Sequence, residues 1–276
     1  KKPMDKKFVF FGTPELASVT LEILKSRGFL PALVVTSPDK PIGRHFEITP
    51  TPVKVWAEKN NIPLLTPEKI DEKFMSEIKS HELDLGIVVA YGKIFSEELI
   101  NLFPLGVLNI HYSLLPKYRG ASPVESAILN QDTETGVTIQ KMARKMDTGP
   151  ILAMSRAEID SDETTPHLRE RLTHIGAELL ADTIPEWLDG KIIPIEQNHE
   201  NATYCKKISK DDGEIKLSDE PKIKYAKYKA YFTWPGIYFF DENNRRIKIT
   251  KARFENGEFI IERVIPEGKK ETDYKI

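Results

Sequence analysis

Across the first 110 residues, short runs that are apolar nearly throughout alternate with stretches of helical periodicity, and few folds accommodate that pattern. The runs are Lys7–Phe11 (KFVFF), Leu33–Thr36 (LVVT), Ile62–Leu65 (IPLL), Leu85–Ala90 (LGIVVA) and Gly106–Ile110 (GVLNI). A strand with one wet face alternates apolar and polar residues. A strand apolar on both sides has to be covered on both faces, as in a parallel sheet with helical crossovers. After Gly12-Thr13-Pro14 the spacing predicts a helix to about Arg27, carrying Leu16, Val19, Leu21, Ile23 and Leu24. The expectation is a Rossmann-like α/β domain with a parallel sheet. Only FGTPE follows the first strand, without GxGxxG, which counts against a dinucleotide-dependent dehydrogenase.

Further along, a helix is expected over 122–129, a strand over Gly136–Gln140 (GVTIQ) and a helix over 165–188. The polar stretch 191–204 has no periodicity and reads as a linker. Beyond it, Ile237–Phe240, Ile247–Ala252 and Phe259–Val264 are strand-like runs divided by the turn signals DENN and ENGE, as in a small β-barrel or sandwich. The expected organisation is a catalytic domain over 1–190, a linker over 191–204, and a small C-terminal β-barrel domain, OB-like, over 205–276.

The longest apolar runs, such as LGIVVAY (85–91), are too short to cross a bilayer. The N-terminal KKPMDKKFVFFG runs straight into a strand without a small-residue cleavage site, so no signal peptide is expected. Cys205 is the lone cysteine, which excludes an internal disulfide and fits a reducing cytoplasm. The six histidines lack ligand spacing, so no metal is expected. Net charge is −2, but residues 205–276 carry 17 Lys and Arg against 13 Asp and Glu. That asymmetry points to an anionic partner on the C-terminal side, or equally to a solvated lysine-rich face.

The chemistry concentrates between Asn109 and Asp147. Asn109 and His111 stand two apart at the carboxyl end of a predicted parallel strand, where open α/β sheets place their ligands, and so point to one face. Asp147-Thr148-Gly149 follows the strand 136–140 after a short loop. Asn, His and Asp together suit acyl transfer to an amine without a covalent enzyme intermediate. An amide donates to a developing oxyanion, an imidazole stabilises it or moves a proton, and a carboxylate holds the imidazole. From spacing alone, a packing histidine and an Asp-Thr-Gly turn explain the same residues.

Asn109, His111, SLLPKYRG (113–120), Pro123, Ala127-Ile128, TGVTI (135–139), Met142 and MDTGPIL (146–152) together resemble the signature of the folate-dependent formyltransferases. FFGTPELA (10–17), SPDKPIGR (37–44), ATYCKKISKDDGEI (202–215), WPGIYFF (234–240) and PEGKKETDY (266–274) are similar to the branch of that family acting on methionyl-tRNA. The resemblance implies 10-formyltetrahydrofolate as donor, initiator methionyl-tRNA as acceptor, and a catalytic trio of Asn109, His111 and Asp147. It implies folate contacts from Ala90, Tyr91 and Gly92 and from Ser113, Leu114, Leu115 and Pro116. For tRNA, the expected contacts are Arg44 in the loop 43–52 and Lys206, Lys207 and Lys210 near the domain junction, in a monomeric protein. Lys216, Lys222, Lys224, Lys227 and Lys229 continue that basic run, with Tyr225, Tyr228, Tyr231 and Phe232 at helical spacing among them, read as core. Two other readings share these residues: an N-formyltransferase for a nucleotide-linked amino sugar, and a non-catalytic folate- or RNA-binding module.

Overall fold

The computed structural model describes residues 6–42 and 47–275. Seven strands form the main sheet: β1 (Phe8–Gly12), β2 (Leu33–Val35), β3 (Leu64–Leu65), β4 (Leu85–Val89), β5 (Val107–His111), β6 (Glu134–Lys141) and β7 (Ile151–Glu158). Their order across the sheet is β7-β6-β5-β4-β1-β2-β3. The five strands from β5 to β3 are parallel neighbours, in line with their continuous apolar sequence. β6 runs antiparallel to β5, so the sheet is mixed at this end.

One face of the sheet is closed by Phe74, Met75 and Ile78 of helix α3 (Glu72–Lys79) and by Leu99 of α4 (Glu97–Asn101), packed on Val9, Phe11, Leu33, Val35 and Val88. Phe11 is fully buried against the ring edges of Tyr91, Phe95 and Phe103. Each such large side chain contributes about 1.5–3 kcal/mol by burial. On the other face lies the long helix α6 (Thr165–Leu188). There Gly176 admits the side chains of Ile110 and Val137, which point away from Asn109 and His111. Local capping fixes where helices begin. Thr51 accepts from Lys54 N–H at the start of α2 (Pro52–Lys59), which has proline in its first turn, and Asp71 accepts from Phe74 N–H to start α3. Here α1 denotes Glu15–Ser26.

Compact units in this chain are not contiguous in sequence. The first comprises Lys1–Arg119, Gly136–Arg156 and Leu172–Ala202; the second comprises Gly120–Thr135, Ala157–Arg171 and Thr203–Ile276. The aperiodic stretch read as a linker therefore falls almost wholly in the first unit. Ile195 bridges to Ile151 by backbone hydrogen bonds in both directions, and Gln197 is buried.

The second unit holds helix α5 (Pro123–Leu129), helix α7 (Pro221–Ala230) and a sheet of β8 (Ile237–Phe240), β9 (Arg246–Glu255), β10 (Glu258–Pro266) and β11 (Thr272–Asp273). The strands run antiparallel in chain order. DENN and ENGE are the turns before and after β9, as the sequence signals require. The tyrosines of α7 take the core role expected of them. Tyr225 stacks on Tyr228 and Phe254, and Tyr231 is buried, while Phe232 is half exposed.

Candidate active site

β5 presents Asn109 and His111 on one face, and the register of β6 sets Gln140 opposite Asn109 and Thr138 opposite His111. Because side chains alternate along a strand, Gly136, Thr138 and Gln140 all face the same way. Each has a distinct task there. A Cβ at Gly136 would stand 2.4 Å from Leu114 Cδ2 and 2.2 Å from Ser155 O, so glycine is what lets the turn after β5 lie against β6. Thr138 is fully buried; its hydroxyl accepts from Leu115 N–H at 3.1 Å and donates to Ser113 O at 2.7 Å. Gln140 Nε2 donates to Asp147 Oδ1 at 2.9 Å. One strand thus fixes both loops to the strand that carries Asn109 and His111.

His111 is 6% exposed, and its Nε2 lies 2.8 Å from Tyr118 O. A carbonyl only accepts, so Nε2 carries the proton of that bond. Proton traffic on the ring is left to Nδ1, which is 3.5 Å from Asp147 Oδ1. The Asp147 side chain is itself only 10% exposed, so the pair meets in a largely dry setting where charge interacts strongly. Among the described residues, the side-chain amide of Asn109 makes no hydrogen bond and is available as a donor. Left-handed backbone gathers around these groups: Ala90 at φ 49°, Tyr118 at φ 56° and Asp147 at φ 55°. Non-glycine residues hold such angles at a cost of about 1–3 kcal/mol, and such angles cluster at functional sites.

The structure brings the catalytic trio of the sequence reading together in the first unit. Of the folate residues, Ser113 and Leu115 are buried and build the turn, Ser113 Oγ donating to Lys117 O, while Leu114 and Pro116 keep partly exposed faces. Ala90 and Gly92 are exposed at the carboxyl end of β4. Tyr91 between them turns its ring into the aromatic core, where burial pushes its hydroxyl up to about 12. Thr13 of the FGTPE loop joins that edge through the Ser37 hydroxyl and Tyr91 O.

Arg44 lies outside the described residues. Lys206, Lys207 and Lys210 are exposed, and Lys206 pairs with Asp212 at 2.6 Å, holding that carboxyl below its ordinary range. Other lysines of the basic run serve the fold: Nζ of Lys224 donates to Leu217 O, that of Lys227 to Glu214 O, and that of Lys229 to Ser161 O. Glu125 pairs with Arg169. No group of three or more His, Cys, Asp or Glu among the described residues is arranged to hold a metal ion.

Sequence reasoning missed Thr138 and Gln140, and also Gln197, whose amide donates to Asp147 O and Gly149 O. For the first two a signal existed, since period-2 alternation places them on the face of Asn109 and His111.

A family model described as formyl transferase matches residues 6–184. The methionyl-tRNA formyltransferase of Dictyoglomus turgidum is 39% identical over 270 residues, covering 96% of this chain and 85% of that protein. That of Thermotoga maritima is 42% identical over 235 residues, covering 85% and 75%. Among solved structures, a Helicobacter canadensis N-formyltransferase in complex with folinic acid and dTDP-3-aminofucose superposes with a TM-score of 0.69 at 20% identity, covering 91% of this chain and 88% of that one. The methionyl-tRNA formyltransferase of Clostridium thermocellum gives 0.61 at 16% identity, covering 95% and 98%. At such identities the structures speak for the fold alone.

Proposed function

The chain belongs to the formyl transferase family and, within it, to the methionyl-tRNA formyltransferases, and from that premise we propose that it transfers a formyl group from 10-formyltetrahydrofolate to the α-amino group of initiator methionyl-tRNA. The observation that carries the reading is the Asn109–His111–Asp147 cluster at the carboxyl end of β5, within a chain about 40% identical to its relatives over most of its length.

The mechanism follows from donors and acceptors. An α-amine titrates near pH ~8, so much of it is neutral and nucleophilic at physiological pH. Its lone pair attacks the formyl carbon, and the carbonyl electrons move onto oxygen. Asn109 donates its amide N–H to that oxyanion, a contribution typically worth about 100- to 1000-fold per donor. His111, anchored through Nε2, presents Nδ1 as the ring nitrogen that donates to the same oxygen or exchanges a proton with Asp147. Asp147 takes up the proton released by the amine, directly or through water, as the new N–C bond forms. When the tetrahedral adduct collapses, the C=O re-forms and the bond from the formyl carbon to the folate nitrogen breaks; that proton passes to the departing nitrogen, releasing tetrahydrofolate. The backbone of Ala90 to Gly92 and the turn 113–116 line the folate, with Tyr91 acting through its main chain.

The domain roles follow: residues 1–190 catalyse and 205–276 bind tRNA. Among the described residues of 206–210, Lys207 and Lys210 are exposed cations available to the tRNA, joined by Lys206 to the extent that Asp212 leaves it available, with Arg44 expected at the acceptor end. Lys210 shares a cavity of about 220 Å³ with Trp234, Tyr238, Arg246 and Lys248. Cations interleaved with aromatics suit phosphate and stacked bases. Among the described residues no helix is long and apolar enough to cross a membrane. The lone cysteine, Cys205, suits a reducing compartment such as the cytoplasm.

The experiment is an acceptor comparison at equal 10-formyltetrahydrofolate: charged initiator tRNA against a dTDP-linked amino sugar. Formylation confined to the tRNA supports the reading; formylation of the sugar alone overturns it.

A further inference from the structure

Gln197 sits in a polar, aperiodic stretch, yet it is only 5% exposed. Its Oε1 accepts from Arg119 Nε at 3.1 Å and Nη2 at 2.6 Å, and its Nε2 donates to Asp147 O at 3.0 Å and to Gly149 O at 2.7 Å. A guanidinium only donates and a carbonyl only accepts, so the amide fits one way round. Arg119 is 2% exposed and is further fixed by donating Nη2 to His199 Nδ1 at 2.8 Å. The two carbonyls that Gln197 grips bracket Thr148. The turn they belong to needs such a grip. Asp147 holds φ 55°, and Gly149 is pressed so closely on β6 that an added Cβ would be 1.8 Å from Lys141 O. An unfavourable backbone angle persists only where its surroundings over-determine it.

We propose that Gln197, oriented by buried Arg119, is a positioning residue for formyl transfer: its amide pins the backbone of Asp147 so that the carboxylate stays in register with His111. Gln140 holds the same residue by its carboxylate, so the catalytic carboxylate is gripped at both ends. The inference rests on the reading of Asp147 as the catalytic carboxylate.

Two substitutions separate positioning from general support of the fold. Gln197→Glu keeps an acceptor for Arg119 but turns an anionic oxygen toward two carbonyls. Gln197→Met keeps the bulk and removes every hydrogen bond. Initial rates with 10-formyltetrahydrofolate and charged initiator tRNA give kcat and KM, expressed per folate-binding site measured by fluorescence quenching. The same substitutions are then made in an Asp147→Asn background. Displacing a catalytic group by about 1 Å costs on the order of 100-fold, so kcat is expected to fall about 10- to 100-fold while both KM values hold. Residues that act as one unit are not additive, so neither substitution lowers the residual rate of Asp147→Asn further. Unchanged kcat, a loss that repeats in full in the Asp147→Asn background, or folate binding lost in parallel with kcat would each overturn the proposal. A wild-type chain that formylates no acceptor is a separate result, and it refutes the proposed function instead.

Discussion

Replacing Thr138 by Val removes one hydroxyl and leaves the shape of the side chain nearly unchanged. That hydroxyl is fully buried and satisfies two backbone groups of the turn after β5, the N–H of Leu115 and the carbonyl of Ser113. A buried group that loses its partner costs about 1–3 kcal/mol, so the substitution is expected to destabilise the chain by roughly 2–6 kcal/mol. A fold of ordinary stability has only about 5–15 kcal/mol in hand. In the proposed function the same turn lines the folate through Leu114 and Pro116. If only ~1.4 kcal/mol of the loss appears in holding the turn, the KM for 10-formyltetrahydrofolate rises about tenfold. Thr138→Ser is the control, because it keeps both hydrogen bonds and loses one methyl, worth about 0.8 kcal/mol. Urea titration gives the stabilities, and initial rates at varied folate give KM. Equal values for the Val and Ser variants would refute the reasoning, since the hydroxyl would then be holding nothing.

Other consequences are equally specific. Gly149→Ala places a Cβ against Lys141 O and must displace the Asp147 turn; kcat is expected to fall about 100-fold with little change in folate affinity, and wild-type kcat would contradict this. Asn109→Ala removes the oxyanion donor and lowers kcat by about 100- to 1000-fold in the same assay, whereas a loss below about tenfold would remove it from that role. In the second unit, Glu163 is buried with two hydrogen bonds from Arg171, at 2.7 and 2.8 Å; burial pushes its carboxyl up, but Arg171, the backbone N–H of Asp160 and His167 together outweigh this and hold it below the ordinary 4.5. A depressed carboxyl stabilises the fold above pH 4.5 and loses that stabilisation as pH falls through its folded value. Glu163→Gln is therefore expected to lower the urea midpoint at neutral pH by a margin that shrinks in acid, and a margin constant with pH would contradict the account.

The parallel core was legible because burial on both faces leaves no polar residue in β1, β2 or β4. β7 was not, because an edge strand half in solvent reads ILAMSRAE, with neither continuous apolarity nor clean alternation. The clustering of Asn109, His111 and Asp147 could be expected from Asn109 and His111 on one strand and from the family signature around Asp147. Its supports were harder to see. Thr138 and Gln140 lie on the predictable face of a predicted strand, but their partners at 113–115 and 147 depend on how the loops fold back. Gln197 had no local signal at all, since its role is made of contacts 78 residues away at Arg119 and 50 away at Asp147. The basic run 206–229 misled in part. Several of its lysines cap carbonyls, and that use of a cation has no mark in composition.

The most direct measurement is single-turnover formylation of charged initiator tRNA by the wild-type chain and by Asp147→Asn, with folate affinity determined on both. The account predicts rapid formylmethionyl-tRNA formation by the wild type. For the variant it predicts a loss of roughly 100- to 10,000-fold, as for removal of a proton-transfer group, at unchanged folate affinity. A variant that keeps more than about a tenth of the rate would contradict it, because that group would then contribute less than general acid–base catalysis does.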